Sequence, residues 1–420
     1  MKVLLINPNQ FKNPPVIPIG LEYLATILRN NGHEVEILDL CFSENPKQEI
    51  KNVLYDKKFN LIGVTIRNID SCIYFNNEFF LKDIRTIIQY LKKYEIPIVL
   101  GGSGFSASPK EILEYMNADL GIIGPGEEAI LKLINDLLES KVNYKILDGW
   151  KLGINKDHIF YRGKDFDYSK YIDKDGILGF ETQKGCSNSC TFCIEAKTKH
   201  HLKEIENVVE EIKYLIKQGY DHFHLCDSEF NLNLEYSINF CKAIIENNLR
   251  MKWALYMKPT PYNEDLFKFL KKSSAYLITL SINSDKKEQS LNNYTLNDVK
   301  SIIEYCKKYK IRLSIDLLIG APDEPKESIE EMINFLKINR PDSVGVSFYY
   351  RIIKITDLGK TILEREDLRK NLSRKIMKND DFLNPLFFNQ INLEYVKDLI
   401  GNDALFKIEG FEKTVNYQRV

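Results

Sequence analysis

The order of apolar segments predicts an α/β protein. It comprises an amino-terminal doubly wound parallel sheet, a partial (β/α)6 barrel and a small carboxy-terminal extension. Three observations predict this class. Apolar runs of strand length alternate with stretches of helical spacing, which is the pattern of a parallel sheet covered by helices. The alternation occurs in two series, separated by a polar stretch without clean periodicity. Turn residues cluster where the strands end, and α/β sheets carry their ligands beyond the carboxyl ends of the strands. The predicted boundaries are 1–140 for the first domain, 141–175 for a linker, 176–352 for the barrel and 353–420 for the extension. At roughly 100–200 residues per domain, a chain of 420 residues has room for this division.

In the first series, Lys2–Ile6 (KVLLI) is a short buried strand that ends in the turn Asn7-Pro8-Asn9. Ile19–Asn31, which opens Ile19-Gly20-Leu21, spaces Leu21, Leu24, Ala25 and Leu28 along one helical face. Val35–Leu40 and Leu61–Ile66 are the next strands, the latter followed by the loop Arg67-Asn68-Ile69-Asp70. Leu81–Tyr94 is helical. Pro97–Leu100 is a strand ending in Gly101-Gly102-Ser103, and Leu120–Ile123 one ending in Gly124-Pro125-Gly126-Glu127, with a helix on to Leu138. Glycine at a strand end lets a ligand approach the backbone; a tight turn is its other use.

In the second series, the strand Ile177–Thr182 precedes a cysteine loop and a helix at 203–218. Strand and helix then alternate through His222–Asp227, Leu234–Glu246, Lys252–Met257, Glu264–Lys272, Tyr276–Ile282, Leu296–Lys308, Arg312–Ile319, Lys326–Ile338 and Ser343–Tyr350. Chemistry in such barrels sits at the carboxyl ends of the strands. Cys226, alone in a strand, reads as core filler.

The loop after the first barrel strand reads Gly-Cys-Ser-Asn-Ser-Cys-Thr-Phe-Cys, with Cys186, Cys190 and Cys193 spaced Cys-x3-Cys-x2-Cys. Three thiolates on one short loop can each take one iron of a 4Fe-4S cubane, which leaves the fourth iron open for chemistry. A structural zinc site is the alternative, with His200 or His201 as a further ligand. The other five cysteines, Cys41, Cys72, Cys226, Cys241 and Cys306, are scattered singly.

Composition bounds the remaining classes. Apolar residues at 44% supply real cores, and the net charge of -1 gives no global attraction to nucleic acid or anionic membranes. No stretch approaches the roughly 18 apolar residues of a membrane span. Only five residues separate Met1 from Asn7, too few for a signal-peptide apolar region. A cytoplasmic protein with reduced thiols is expected, with no nucleic-acid or membrane partner.

The cysteine loop, with Phe192 before its last cysteine and strand–helix units after it, resembles the radical S-adenosylmethionine superfamily. The resemblance implies that S-adenosylmethionine chelates the open iron and is cleaved to a 5′-deoxyadenosyl radical. It also implies roles at particular positions. Asp227-Ser228-Glu229 would accept from the methionyl ammonium, with capping of the following helix as their other use. Ser281 and Asn283 would contact the ribose, with a turn as their other use, and Ile319, with Gly320 and Glu324 nearby, would contact the adenine. Tyr349, Tyr350 and Arg351 would face substrate, Tyr350 in a catalytic role. An electron donor such as flavodoxin or ferredoxin would act as partner.

The first series lacks the Gly-x-Gly-x-x-Gly turn of a dinucleotide site. Its succession LLINPN, PIGLEYLATILRNNGHEVEILD, VLGGSG and GPGEEA resembles the Rossmann-like cobalamin-binding domains fused ahead of radical S-adenosylmethionine barrels. That implies cobalamin held by Asn7, Pro8, Gly20, Arg67, Asn68, Gly101, Gly102, Ser103, Gly124, Gly126 and Glu127. Some such domains ligate cobalt through Asp-x-His-x-x-Gly. None of the six histidines here has that setting. The resemblance runs the loop after the third strand under the corrin, so Arg67 is expected near the lower cobalt face without ligating it, with an ion pair to Asp70 or a neighbour as its other use. The resemblance as a whole implies a C-methyltransferase acting on an unactivated carbon of a small molecule or peptide. A non-methylating cyclisation or rearrangement, and a cobalamin- or redox-sensing binding protein, are the alternatives.

Overall fold

Residues 1–55, 57–156, 158–377 and 380–411 are described by the structure, a computed structural model. The chain forms two units. The first comprises 1–71, 79–180 and 201–220; the second comprises 72–78, 181–200 and 221–420.

In the first unit, β1 (Lys2–Asn7), β2 (Glu34–Asp39), β3 (Leu61–Thr65), β4 (Ile98–Gly101), β5 (Leu120–Ile123) and β6 (Ile146–Asp148) form one sheet in the order β2-β1-β3-β4-β5-β6. All its pairings are parallel. A parallel sheet covered on both faces needs apolar side chains on both, and the wholly buried run Val3–Ile6 of β1 meets that demand. Crossovers include the helices Ile19–Asn30, Leu81–Leu91 and Glu127–Leu138. The sequence pattern locates all three, with the last turn before Glu95 tightening to a 3-10 helix at Lys92–Tyr94.

Several elements escape the sequence pattern. Pro46–Tyr55 is a helix burying only Ile50 and Leu54, too narrow an apolar stripe to stand out. Ser103–Ala107 and Pro109–Met116 are short helices after β4. The stretch expected as a linker, 141–175, supplies β6 and the helices Gly149–Leu152 and Tyr168–Ile172, so it belongs to the folded first unit. The reason is Arg162, which is 1% exposed. Its guanidinium donates to Glu211 at 2.6 Å and to the Gly179 carbonyl at 2.7 Å, and lies 3.4 Å from Glu22. A polar stretch reads as a spacer until its charge is seen to be buried and paired.

The first unit also contains β7 (Leu178–Phe180) and the helix Ile205–Lys217. β8 (Gln183–Lys184) belongs to the second unit and β9 (His201–Leu202) to the first; the second unit continues with β10 (His222–Leu225), β11 (Lys252–Met257), β12 (Ala275–Asn283), β13 (Arg312–Leu318) and β14 (Ser343–Ser347). These five strands are parallel neighbours in chain order, each followed by helix through Lys326–Asn339, as a partial barrel requires. β15 (Tyr350–Arg351) pairs antiparallel with β16 (Phe387–Phe388). The extension adds β17 (Phe406–Ile408), parallel to β14 at the sheet edge. The last nine residues of the expected extension, 412–420, lie outside the described residues.

Alternation along the barrel strands separates two faces. Ile278, Leu280 and Ile282 stand beside Leu313, Ile315 and Leu317, all buried. Thr279, Ser281 and Asn283 share the other face, with Ser314 beside Thr279 and Asp316 beside Ser281. His222 and His224 alternate in the same way with buried Phe223 and Leu225. One face of the second sheet is therefore polar, the lining a barrel interior needs in order to bind a polar ligand.

Candidate functional site

The cysteine loop is built before any metal enters it. The Cys186 N–H donates to Thr198 Oγ1 at 2.9 Å, and the Thr198 N–H returns to the Cys186 carbonyl at 3.0 Å. Lys258, one residue past β11, donates to Asn188 Oδ1 at 2.6 Å. Thr191 donates its N–H and hydroxyl to Glu288, while its carbonyl accepts the Leu358 N–H at 2.8 Å. The Ser189 N–H is accepted by Asn292 Oδ1 at 3.1 Å.

The three sulfurs suit an iron-sulfur cluster. Each thiol is pushed upward in pKa, first by burial, with Cys186 reaching about 12. The charges of all three are coupled, since Cys193 raises both of the others and Cys186 raises Cys190. Backbone N–H groups are directed at the sulfurs, Asn188 at Cys186 and Glu195 and Ala196 at Cys193. Such a set favours thiolates once cations replace the protons. Among the described residues, no three His, Cys, Asp or Glu side chains converge on one point as a single metal ion requires. His200, considered as a further ligand, directs its Nε2 to Gln183 Oε1.

Beyond the barrel strands, the predicted contacts divide. Asp227 is buried and accepts the Thr182 N–H at 2.8 Å, the Thr182 hydroxyl and the Gln183 N–H at 3.2 Å. Burial carries its pKa up to about 7. It braces the chain entering the cysteine loop through both of its oxygens. Ser228 donates to Glu195. Glu229 is different: Oε2 is buried with no hydrogen-bond partner among the described residues, and burial raises the carboxyl to about 8. Asn283 Oδ1, at the end of β12, is likewise buried and unpartnered. Two orphan acceptors at the ends of β10 and β12 fit a ligand that brings N–H or O–H donors, and an ammonium and a ribose hydroxyl are such donors. Ser281 is half-buried on the same face of β12, and Ile319 follows β13, fully buried. Glu324 takes the Gly320 N–H at 2.6 Å, the Ala321 N–H at 2.9 Å and the Ser284 hydroxyl, so it ties the ends of β12 and β13 together.

Tyr350 stands elsewhere. It is buried in an apolar cluster with Ile352, Leu358, Ile362, Leu386 and Phe388, and its ring meets Phe192 at 5.6 Å. Its ring is packed there, and its hydroxyl is buried with no hydrogen-bond partner among the described residues. Tyr349 stacks on Tyr74 at 5.1 Å. Arg351 donates to the Ile352 carbonyl. Cys226 is exposed at the end of β10, contrary to the core-filler reading.

In the first unit, the loops after β1, β3, β4 and β5 hold most of the residues that the resemblance assigns to cobalamin. Asn7 and Pro8 are buried, with Asn7 Nδ2 donating to Asp39 at 2.8 Å, so Asn7 ties β1 to β2. Arg67 and Asn68 are half-buried, and the Arg67 carbonyl accepts from exposed Ser103 at 2.8 Å. Gly102 has φ +98°, and a side chain there would meet the Ile66 carbonyl at 2.6 Å. At Gly124, φ +71°, that direction is filled by the Trp150 ring, so this close approach is internal and not made by a ligand. Gly126 faces Leu24 at 3.1 Å, whereas Gly20 faces open space and Gly101 meets only a carbonyl at 3.8 Å. Glu127 is the buried first residue of its helix. None of these loops carries a histidine: His33 precedes β2, and His158 and His201 follow β6.

The first unit is thus a parallel-sheet domain, and the second a partial barrel with three cysteines in the loop before β10. Comparison with known proteins agrees. The model of the radical SAM superfamily matches residues 180–336, and that of the B12 binding domain matches residues 13–134. The chain therefore combines, over separate segments, a match to the B12 binding domain and a match to the radical SAM superfamily. Its relatives include tryptophan 2-C-methyltransferase of Streptomyces laurentii, 24% identical over 87% of this chain and 75% of that protein. The anaerobic magnesium-protoporphyrin IX monomethyl ester cyclase of Rubrivivax gelatinosus is 24% identical over 83% of this chain and 68% of that one. Among solved structures, the radical S-adenosylmethionine methyltransferase TsrM from Kitasatospora setae, with cobalamin and a [4Fe-4S] cluster bound, superposes with a TM-score of 0.83. The match is 24% identical and covers 90% of this chain and 81% of that one. No helix among the described residues is long and apolar enough to cross a membrane.

The sequence pattern alone passed over Thr182, Thr191, Lys258, Glu288 and Asn292. Each acts on the cysteine loop or its entry through a contact long in sequence, such as Asn292 to Ser189. Alternation in the barrel strands was the one available signal for the polar face.

Proposed function

We propose that the protein transfers a methyl group from S-adenosylmethionine, through cobalamin, to an unactivated carbon of a small molecule or peptide. The observation that carries this reading is the pairing, in one chain, of the braced three-cysteine loop with a B12-binding domain whose ligand-edge loops carry no histidine. The named tryptophan methyltransferase relative supports it. When bound, the cluster would supply single electrons from a flavodoxin- or ferredoxin-like donor, and the corrin would carry the methyl group.

The chain's own residues hold and orient these groups. Cys186, Cys190 and Cys193 would each hold one iron. Glu229 and Asn283 would accept from the ammonium and ribose of S-adenosylmethionine, with Ser281 beside the ribose and Ile319 against the adenine. Gly20, Gly101 and the loop 67–68 would bound the corrin. Arg67 would lie near the lower cobalt face without ligating it, because a guanidinium has no lone pair to give.

Anaerobic turnover with candidate substrates and isotopically methyl-labelled S-adenosylmethionine tests the reading by product mass. One labelled methyl gained is the expected result, and a product of unchanged carbon count overturns it. The cyclase relative favours the second reading, a cyclisation or rearrangement, which that unchanged count would support. Arg67→Lys is expected to shift the absorption spectrum of bound cobalamin and to slow methyl transfer; unchanged spectra and rates would remove Arg67 from the corrin site.

A further inference from the structure

The cysteine loop is gripped by the segment that follows β12. Asp285 caps the helix Lys286–Leu291 through the Lys287 and Glu288 N–H groups. Glu288, on that helix, is buried against Thr191. Asn292 follows the helix, and its side chain is held at both ends. Oδ1 accepts the Ser189 N–H at 3.1 Å, and Nδ2 donates to the Glu288 carbonyl at 2.9 Å. A backbone N–H can only donate and a backbone carbonyl can only accept, so this carboxamide cannot be turned over without losing both bonds. The consequence falls on Cys190, whose sulfur lies 3.4 Å from Oδ1. As a thiol, Cys190 gives its proton to that oxygen. As an iron ligand it has no proton, and the same oxygen faces a thiolate.

Hydrogen bonds to cluster sulfurs and local charge set the reduction potential of an iron-sulfur cluster. An N–H beside the sulfur would stabilise the more negative, reduced form; a carbonyl oxygen opposes it. We propose that Asn292 is a positioning residue that fixes the cysteine loop and lowers the reduction potential of the cluster held there. It does so by presenting an oxygen, not an N–H, to the Cys190 sulfur. A strongly reducing cluster is what one-electron cleavage of a sulfonium requires. The inference rests on the reading of Cys186, Cys190 and Cys193 as cluster ligands.

The test is potentiometric titration of the anaerobically reconstituted full chain, followed by the electron paramagnetic resonance signal of the reduced cluster, with iron counted per chain. Asn292→Ala is expected to raise the potential by the equivalent of about a tenfold change in the one-electron reduction constant, ~59 mV. Asn292→Asp keeps an acceptor for Ser189 and adds a charge, so it is expected to lower the potential below wild type. Opposite signs in the two variants distinguish a tuning role from a mere brace. Shifts of the same sign, or none, at wild-type iron content overturn the proposal. Should Asn292→Ala fail to hold iron, the aspartate variant decides, and a potential at or above wild type overturns it. A wild-type chain that assembles no 4Fe-4S cluster would instead overturn the ligand reading beneath it.

Discussion

Alanine in place of any one of Cys186, Cys190 or Cys193 is expected to abolish the bound iron-sulfur cluster and the release of 5′-deoxyadenosine, while leaving the fold standing. Residues that hydrogen-bond to a metal's ligands are worth about 10–100-fold in affinity or activity, and the ligands themselves exceed that. The fold survives because the loop is anchored by other bonds: Cys186 N–H to Thr198, Ser189 to Asn292, Thr191 to Glu288 and Lys258 to Asn188. Loss of one sulfur from this frame is expected to cost about 1 kcal/mol. Assembly has a pH dependence of defined sign. Burial raises the Cys186 thiol to about 12, so the folded chain without iron favours the protonated form. That contribution to stability is fully present below the ordinary thiol range and is lost as pH rises toward 12. Iron binding must displace these protons, so loading is expected to be more complete at pH 8.5 than at pH 6.5. Iron and sulfide assays with chromatography of 5′-deoxyadenosine measure both effects. A cysteine variant with undiminished 5′-deoxyadenosine formation would refute the assignment.

Arg162→Met is expected to destabilise the first unit by about 3–5 kcal/mol, the cost of removing one partner from a buried ion pair. Arg162 sits between two buried carboxylates, Glu211 and Glu22. Tyr23 donates to Glu211 at 3.1 Å, and Tyr168 to Glu22 at 2.6 Å. The Lys203 ammonium lies 3.8 Å from the Tyr23 ring centroid. Without the guanidinium, the two buried carboxylates keep the Tyr23 and Tyr168 hydroxyls and the Gly163 N–H as donors but lose the cation between them. At roughly 2–4 °C per kcal/mol for a unit of this size, the transition is expected to fall by about 6–20 °C.

The sign with pH follows from Glu22. Burial already raises its pKa, and Arg162 is the largest influence holding it down. A raised carboxyl favours the protonated folded state, so stability erodes as pH climbs from the ordinary carboxylate range to the folded value. Losing Arg162 extends that erosion upward, and the deficit of the variant is expected to shrink as pH is lowered toward 5. Calorimetry of the full chain at pH 5 and pH 8 measures it, and an equal deficit at both would show that Glu22 does not feel Arg162. Adding Glu22→Gln and Glu211→Gln to Arg162→Met is expected to restore much of the loss.

Much of the fold was legible in the sequence because apolar periodicity is a local property. Leu234–Glu246, Lys252–Met257 and Glu264–Lys272 were located to the residue, each framed by polar turns. The three-cysteine loop was legible for the same reason, since its chemistry lies within eight residues of one another. Helix Pro46–Tyr55 was not, because its buried stripe is only two residues wide. β6 and β17 were not, because a three-residue strand becomes a strand only when a neighbour offers it an edge.

The sequence by itself determined the two α/β series, the cysteine triad and the absence of a histidine in the loops expected to meet the corrin. Each depends on residue type and spacing along a short stretch. Only the tertiary structure decided that Asp227 braces Thr182 and Gln183, that Tyr350 packs behind Phe192, and that Glu229 and Asn283 keep unpartnered acceptors. The physical reason is that a polar group's role is set by whether its partner is already supplied by the fold. Those partners come from residues tens of positions away, which no local pattern specifies.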